Sequence, residues 1–420
     1  MDFHMCSRKH PLFDDHEEQF PLYRKRHLRN WSDRVLQHNS LTASCSHSCM
    51  CEACVNRRTN HPTACTRLSE QTTSWANTQN SVKKVLEHLK SKQTTDCIFL
   101  DDSVNSKFLA FHRDITDECG AEDKQHSWGV IEKQEEIIMY GPYYPNYNNG
   151  EHSEDIIVKQ TQEFLESGDT SEDWKVYVFT VNSPCLARNT EPCMLTLVHK
   201  AQEWWRLYRV KTHIGFIRCW GFKGTKENLY KDINYRQVEC INQSANYESY
   251  VKVSEKITDL NPLCKSVFYI AKHLLESGQE NFSLISTVQK QDWRSYFKTM
   301  SSIFESKPED EKNLLTQELN TSFEAAEVLL SGKTESFEQY LERGRTFTLS
   351  YAFSSLVCDA VQTEMRLRFE QCWREMVQDK YAEFIREKLT DEFNQCTIHL
   401  FIKDILQFTE MYLKIGKLQF

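Results

Sequence analysis

The chain lacks three features that would each assign it to a broad class of protein. It has no run of 18 apolar residues, so the sequence predicts no transmembrane span and no membrane partner. Its first ten residues are polar and charged, so we expect no secretory signal. It has no excess of positive charge: 60 acidic residues outnumber 51 basic ones, and the net charge of -9 does not suggest a general nucleic-acid binder.

Cysteine, by contrast, is abundant, with 16 residues among 420. Without a predicted signal, we expect reduced thiols that are free to bind metal, in a protein of the cytoplasm, the nucleus or both. Five cysteines lie between Cys45 and Cys65, and Cys51 and Cys54 have the spacing of zinc ligands. This cluster is either a small structural zinc knuckle or a Cys-rich, solvated tail, and its irregular spacing favours the tail.

Length and patterning predict three regions, and 40% hydrophobic residues are enough for real cores. Residues 1–95 have few aliphatic runs and are expected to be poorly ordered. Residues 96–244 alternate strand-like and helix-like segments, which is typical of an α/β domain. Residues 245–420 have helical spacing and predict an all-α domain. Its clearest apolar stripe, which we interpret as core, consists of Val361, Met365, Phe369, Cys372 and Met376.

Potential metal ligands lie in the middle region. His152 is followed two residues later by Glu154, and Cys185 and Cys193 come further downstream. Imidazole nitrogen and thiolate sulfur are good zinc ligands, and a catalytic zinc site has three protein ligands with a fourth position open for water. Zinc lowers the pKa of that water, and a nearby carboxylate can take its proton. These residue types are therefore those of a catalytic zinc site.

The segments around these residues support that interpretation. Ser153 to Glu166 has helical spacing and acidic residues in its first turn, where the helix dipole favours them. Lys175 to Val181 is rich in Val, Tyr and Phe and predicts a buried strand. Cys193 lies at the start of a predicted helix, where the thiolate form is favoured. His213 to Trp220 predicts another strand.

Shorter patterns predict further elements. Ser81 to Lys92 predicts a short amphipathic helix, and Asn228 to Cys240 a helix together with the last strand of the sheet. Four segments are strand candidates, of which two should precede the His152 helix: Cys97–Leu100, Phe108–Phe111, Trp128–Ile131 and Ile137–Tyr140. In the last region, helices are predicted over Pro308–Leu330, Ser336–Arg343, Tyr351–Leu389 and Glu392–Ile415.

Over residues 96–244 the chain resembles the zinc-dependent cytidine and nucleic-acid deaminases, and among them the vertebrate AID/APOBEC-like enzymes. The signature of these enzymes is H-x-E followed by P-C-x-x-C. This chain has His152 and Glu154, then Ser-Pro before Cys185, with seven residues instead of two before Cys193. A loop lengthens at small entropic cost, so Cys193 can still reach the metal.

The resemblance implies a fold, a cofactor and a set of roles. The fold class is α/β, a cytidine deaminase-like mixed sheet with flanking helices, followed by a C-terminal all-α domain. The cofactor is Zn2+, ligated by His152, Cys185 and Cys193, and Glu154 is the catalytic residue that moves the proton. Residues 96–244 would then be the zinc domain.

The resemblance also implies a substrate. The implied reaction is hydrolytic deamination of cytosine or cytidine, in a nucleoside or a single-stranded nucleic acid, and the Ser-Pro-Cys run favours cytosine over adenine. The loop from Tyr140 to Tyr147 is either an aromatic surface that stacks a base or a surface turn packed by its own tyrosines. Candidate substrate-binding residues are Asn182, Ser183, Tyr144 and Tyr147.

Two other interpretations stay open. The first is a catalytically inactive deaminase fold that acts as an interaction module and binds a protein partner through the C-terminal helices. The long spacing before Cys193 and the size of the helical region motivate it. The second is an α-helical scaffold in which His152 and the cysteines are ordinary core residues. Absence of a sheet between Lys175 and Trp220 would favour that scaffold.

Overall fold

A mixed sheet of six strands forms the centre of the fold, in the order β1-β3-β2-β4-β5-β6. The strands are β1 Arg24–His27, β2 Ser127–Glu132, β3 Glu136–Tyr143, β4 Lys175–Asn182, β5 Lys211–Arg218 and β6 Leu413–Lys417. The structure is a computed structural model that describes residues 24–27, 64–91, 97–119, 124–133, 136–167, 174–222, 229–243, 246–253, 264–276, 281–284, 293–330 and 334–420.

One half of the sheet is antiparallel and the other is parallel. β1 pairs with β3, β3 with β2 and β2 with β4, all antiparallel, whereas β4, β5 and β6 run in one direction. Parallel neighbours need a crossover connection, and the helix between β4 and β5 supplies it. The carboxyl ends of β4 and β5 therefore meet at one edge, where Asn182 pairs with Arg218.

Helices flank the sheet and continue into a long C-terminal helical region. The longest, α11, runs for 51 residues. The α-helices are α1 Ala64–Ala76, α2 Thr78–Lys90, α3 Asp102–Cys119, α4 Ser153–Ser167, α5 Cys193–Tyr208, α6 Tyr235–Asn242, α7 Tyr247–Lys252, α8 Cys264–Glu276, α9 Glu309–Ala326, α10 Phe337–Ser350 and α11 Asp359–Thr409. Within the described ranges, Trp293–Phe304 and Glu327–Leu330 are 3-10 helices.

Apolar side chains form a core on each face of the sheet and another in the helical region. On one face, α4 and α5 bury Ile157 and Val198 against the sheet, and on the other α3 buries Phe108. The first half of α11 carries the predicted apolar stripe into the helical core, and its second half buries residues such as Phe401 in the core on the α4 and α5 face. One helix thus joins the helical region to the sheet.

These observations confirm the α/β fold class, a mixed sheet with flanking helices followed by a long helical region. The alternative of a purely α-helical scaffold is wrong, because Lys175 to Trp220 contributes two paired strands to the sheet. The strands predicted at Trp128 to Ile131 and Ile137 to Tyr140 are confirmed as parts of β2 and β3. Across the residues that the structure describes, no helix is both long and apolar enough to cross a bilayer.

Two of the predicted strands are not strands. Phe108 to Phe111 lies within α3, because these residues continue a helical spacing that begins at Val104 and ends at Ile115. A short apolar run is compatible with the spacing of a strand or of a helix. Here the helix forms because α3 side chains pack on Trp128 and Tyr177. The segment Cys97–Leu100 makes only an isolated bridge, from Phe99 to Lys417.

The end of the chain also differs from the prediction. The helices predicted over Tyr351–Leu389 and Glu392–Ile415 are one helix, since neither Gly nor Pro interrupts residues 359–409, and it ends at Thr409. Residues 229–243 contain α6 and no strand. The last strand of the sheet is β6, which pairs parallel with β5 through partners such as Ile415 and Ile214. The C-terminal region therefore completes the sheet.

Part of the region expected to be poorly ordered is folded. The helix predicted from Ser81 is confirmed as α2, and α1 precedes it. Trp75 and Val85 are buried in the same core as Phe401, and the Trp75 ring meets the Phe401 ring edge-on at 5.5 Å. A few apolar residues in α1 and α2 are enough to fold this segment, because they pack against apolar residues of α11. The side chains of the Cys45 to Cys65 cluster lie outside the described residues.

We expect the packing of β6 to contribute measurably to stability. Ile415 is buried, so Ile415→Ala should lower the free energy of unfolding by about 2–5 kcal/mol through lost apolar burial and the cavity left behind. Met411, four residues earlier, is exposed, and Met411→Ala should stay within about 0.5 kcal/mol of the unaltered protein. Denaturant unfolding compares the two variants. Equal stabilities would show that β6 does not belong to the cooperative fold.

Candidate metal centre

The start of α4 positions His152 and Glu154. Asp155 in the first turn reaches back, and its Oδ2 accepts a hydrogen bond of 2.9 Å from the His152 backbone N–H, which is half of a capping box. The carboxylate thereby fixes the residue that immediately precedes the helix. Gly150, at a φ of 65°, adopts the left-handed conformation of the turn before it. The predicted helix start at Ser153 is confirmed.

The carboxyl end of β4 and the start of α5 position the two cysteines. Cys185 lies just beyond β4, and its carbonyl accepts a 3.1 Å hydrogen bond from the Met194 backbone N–H. Cys193 is the first residue of α5, as predicted, and its N–H points at Cys185 Sγ at 3.5 Å. Pro192 precedes the helix in an extended conformation, which suits a residue at that position. The seven-residue loop therefore closes on itself and brings the thiols together.

His152, Cys185 and Cys193 converge on one point. The sulfur of Cys193 lies 3.3 Å from His152 Nδ1 and that of Cys185 lies 3.7 Å from it, and all three donor atoms are within 4.8 Å of one another. In a tetrahedral zinc site with ordinary bond lengths, nitrogen and sulfur ligands stand about 3.5 Å apart. Both the chemistry and the spacing of this donor set fit a zinc ion.

The two thiols differ in acidity, which favours the metal-binding thiolate at Cys185 but not at Cys193. A hydrogen bond from Cys193 lowers the pKa of the Cys185 thiol to about 5, with a further contribution from His152 that opposes the effect of burial. The same hydrogen bond, together with burial, raises the pKa of Cys193, contrary to the expectation that its place at a helix start favours the thiolate. Cys185 is thus disposed to be a thiolate, the form that binds metals.

Glu154 lies beside this cluster without being one of the three donors. It is 4% exposed, and burial raises the pKa of its carboxyl to about 7. Ser153 Oγ donates a 3.0 Å hydrogen bond to Glu154 Oε2, and Ser153 is itself 2.7 Å from the hydroxyl of Ser127 on β2. One carboxylate oxygen is therefore held by a buried hydroxyl pair.

Arg188 is a site residue that the sequence did not reveal. It lies in the loop between the cysteines, and its Nη1 donates to Asp155 Oδ2 at 2.9 Å and to Cys193 Sγ at 3.2 Å. Asp155 in turn holds the backbone of His152. Arg188 thus connects a thiol to the start of α4 and places a positive charge beside a sulfur. Arg188 makes these contacts only when the loop between the cysteines is folded. No local sequence pattern around Arg188 therefore predicts them.

We expect Arg188→Ala to weaken zinc binding about 10–100-fold, as is typical for loss of a residue that orients metal ligands. The dissociation constant can be measured by competition with a chelating dye. Arg206→Ala is the matched control, because Arg206 is an exposed arginine on α5. Wild-type affinity in Arg188→Ala would show that this hydrogen-bonded arginine does not support the metal ligands.

The structure places the predicted substrate-binding residues in two different environments. Ser183 is buried, and its Oγ accepts a 2.8 Å hydrogen bond from the Trp220 backbone N–H, which ties the ends of β4 and β5 together. Asn182 is half-buried at the end of β4. Tyr144 and Tyr147 are exposed in the loop before α4, and the ring of Tyr144 lies 5.9 Å from that of His126. Their substrate roles stay predictions.

The fold and the site together define a deaminase-like protein: a His and a buried Glu lie at the start of α4, one Cys lies at the start of α5 and the other follows β4 of the mixed sheet. The chain belongs to the family described as Secreted Novel AID/APOBEC-like Deaminase 3, whose model matches residues 33–415. The resemblance to AID/APOBEC-like deaminases is thus confirmed at the level of the superfamily. Neither a curated protein nor a solved structure matches the chain.

The family corrects the expected location. Its members are described as secreted, so the expectation of a cytoplasmic or nuclear protein was wrong. That expectation combined a polar first segment with a high cysteine count. A high cysteine count is at least as typical of secreted chains, where oxidising conditions retain it. The count therefore could not indicate the compartment.

Proposed function

We propose that this protein is a zinc-dependent hydrolytic deaminase that removes the exocyclic amine of cytosine, in a nucleoside or a single-stranded nucleic acid. The observation that supports this best is the convergence of His152, Cys185 and Cys193 beside the buried carboxylate of Glu154. The family adds independent support for a deaminase-type activity. A purely structural zinc site would use four protein ligands, whereas three leave a position for water.

Each residue has a role in this proposal. His152 Nδ1 and the two sulfurs would hold zinc, which when bound would supply a water activated for attack on the carbon that bears the amine. Glu154 would take a first proton from the water and pass it to the ring nitrogen, and would then take a second proton from the added hydroxyl and pass it to the amine, which leaves as ammonia. The hydroxyl of Ser153 fixes one oxygen of that carboxylate, so the proton moves through a group of defined orientation.

Substrate recognition is proposed for the loop before α4 and the end of β4. Tyr144 is exposed and can present its ring to a base, and stacking of this kind contributes about 1–3 kcal/mol per base. Asn182 supplies an amide close to Cys185 in the chain, where hydrogen bonds to a base edge would orient the amine.

A second candidate function is that of an inactive deaminase fold that binds a protein partner through its helices. Large apolar side chains are exposed in the helical region, and exposed apolar surface is a common feature of interaction sites. Examples are Val328, Leu349, Leu356 and Leu367. The extended loop that carries Arg188 onto Cys193 is a further departure from the common signature of the active enzymes.

One assay separates the two functions. Purified protein is tested on cytidine, deoxycytidine, adenosine and single-stranded oligonucleotides of DNA and RNA, with zinc measured in the same samples. Release of ammonia that stops on chelation and returns with added zinc supports the deaminase. A zinc-loaded protein that is inactive on every substrate favours the interaction module.

A further inference from the structure

A cavity with several charged residues in its wall lies on the opposite face of the sheet from the metal centre. Its volume is about 310 Å³, and it is bounded by the amino ends of β4 and β5, the first turns of α3 and the segment that enters β6. Its residue Tyr177 belongs to the core under α3. Cys185, by contrast, follows the carboxyl end of β4, and eight strand residues span roughly 26 Å. The cavity is therefore separate from the proposed active site.

The lining of this cavity is rich in lysine. Four ammonium groups line it, those of Lys107, Lys175, Lys211 and Lys414. Lys107 and Lys175 share a single carboxylate, Glu132, and Lys414 pairs with Asp101. Lys211 has no ion pair within the part of the chain that the structure describes, and one further acid, Glu410, lines the cavity. The ammonium groups thus outnumber the nearby carboxylates.

A buried histidine stands among these lysines. His213 lines the cavity and is 6% exposed, and its Nδ1 has no hydrogen-bond partner in the described chain. A buried polar atom without a partner calls for an explanation. Burial, with Lys414 and Lys175 adding to it, lowers the pKa of His213 to about 4. The imidazole is therefore neutral, and the lysines around it outweigh the nearby carboxylates in charge.

We propose that this cavity binds the phosphate group of a small molecule. A phosphate dianion offers strong acceptor oxygens to several ammonium groups at once, and charge-assisted hydrogen bonds of this kind are the strong ones. The lysines supply these contacts, since His213 Nδ1 is buried beneath the cavity surface. The volume lies at the low end for small-ligand pockets, which suits a sugar phosphate or free phosphate better than a polymer.

Ribose 5-phosphate, ribose and inorganic phosphate are the probes for isothermal titration calorimetry on the full, zinc-loaded chain. We expect one ribose 5-phosphate to bind per chain and ribose not to bind. Inorganic phosphate that binds as tightly as the ester identifies free phosphate as the ligand, and weaker binding identifies a phosphomonoester. Both outcomes support a phosphate site.

Lys211→Gln is the variant to compare, because its side chain is exposed and its removal leaves the core intact. Loss of a charged partner should weaken ribose 5-phosphate binding about tenfold or more. Lys298→Gln makes the same charge change at an exposed lysine of the helical region and should bind like the unaltered protein. Equal affinity in Lys211→Gln and Lys298→Gln overturns the proposal, as does binding of ribose or the absence of any binding at millimolar phosphate.

This site does not depend on the proposed deaminase activity. Glu154→Gln changes a residue on the other face of the sheet and should bind ribose 5-phosphate with unchanged affinity. Loss of phosphate binding in that variant would place the ligand at the metal centre and contradict a separate site.

Discussion

A Glu154→Gln variant should deaminate cytidine at least about 10²–10⁴-fold more slowly than the unaltered protein and should still bind zinc. The amide keeps the shape of the carboxylate and can still accept the hydrogen bond that Ser153 donates. It has no basic oxygen that can take a proton from water and return it to the amine. The rate is therefore expected to fall without a change in fold or metal content. Ammonia release and zinc content are measured on the same samples.

Glu163→Gln is the matched control for this experiment. Glu163 lies on the same helix, α4, and is exposed, so the same chemical change should leave turnover and zinc content unaltered. An active Glu154→Gln variant would show that another group moves the proton, which would rule out the proposed role of Glu154. A zinc-free Glu154→Gln variant would show instead that the carboxylate is needed to build the site.

The helices and strands that are determined by neighbouring residues could be predicted from the sequence. The strands β4 and β5 are rich in β-branched and aromatic residues, and α4 has helical spacing and acidic residues in its first turn. Their positions therefore follow from near neighbours in the chain. The residue types of the metal centre were also visible, because His, Glu and Cys are scarce enough for their order to be informative. The resemblance to a known signature then supplied their roles.

The features that were missed depend on distant contacts. The run from Phe108 to Phe111 fits a strand or a helix, and only its packing under Trp128 and Tyr177 selects the helix. β6 forms because residues 413–417 pair with β5, which lies about two hundred positions earlier in the chain. No local sequence pattern indicates this pairing. Arg188 reaches Cys193 only once the loop between the cysteines has closed.

Cys185→Ser is expected to lose the zinc ion of the central site and with it the deaminase activity. A serine hydroxyl stays protonated at neutral pH and is a poor zinc ligand, so only His152 and Cys193 would remain as donors. The thiol whose pKa is lowered to about 5 would also be gone. Zinc per chain should fall by one, and added zinc should no longer raise the unfolding temperature.

Cys372→Ser is the control, because it removes an equally buried thiol from the helical core, far from His152 in the fold. It should lose some stability but keep both zinc and its stabilising effect. Zinc bound by the Cys45 to Cys65 cluster would be common to both variants, so the difference between them reports on the central site alone. Equal zinc content in the two variants would show that Cys185 is not a ligand, and the proposed function would then lose the observation on which it rests.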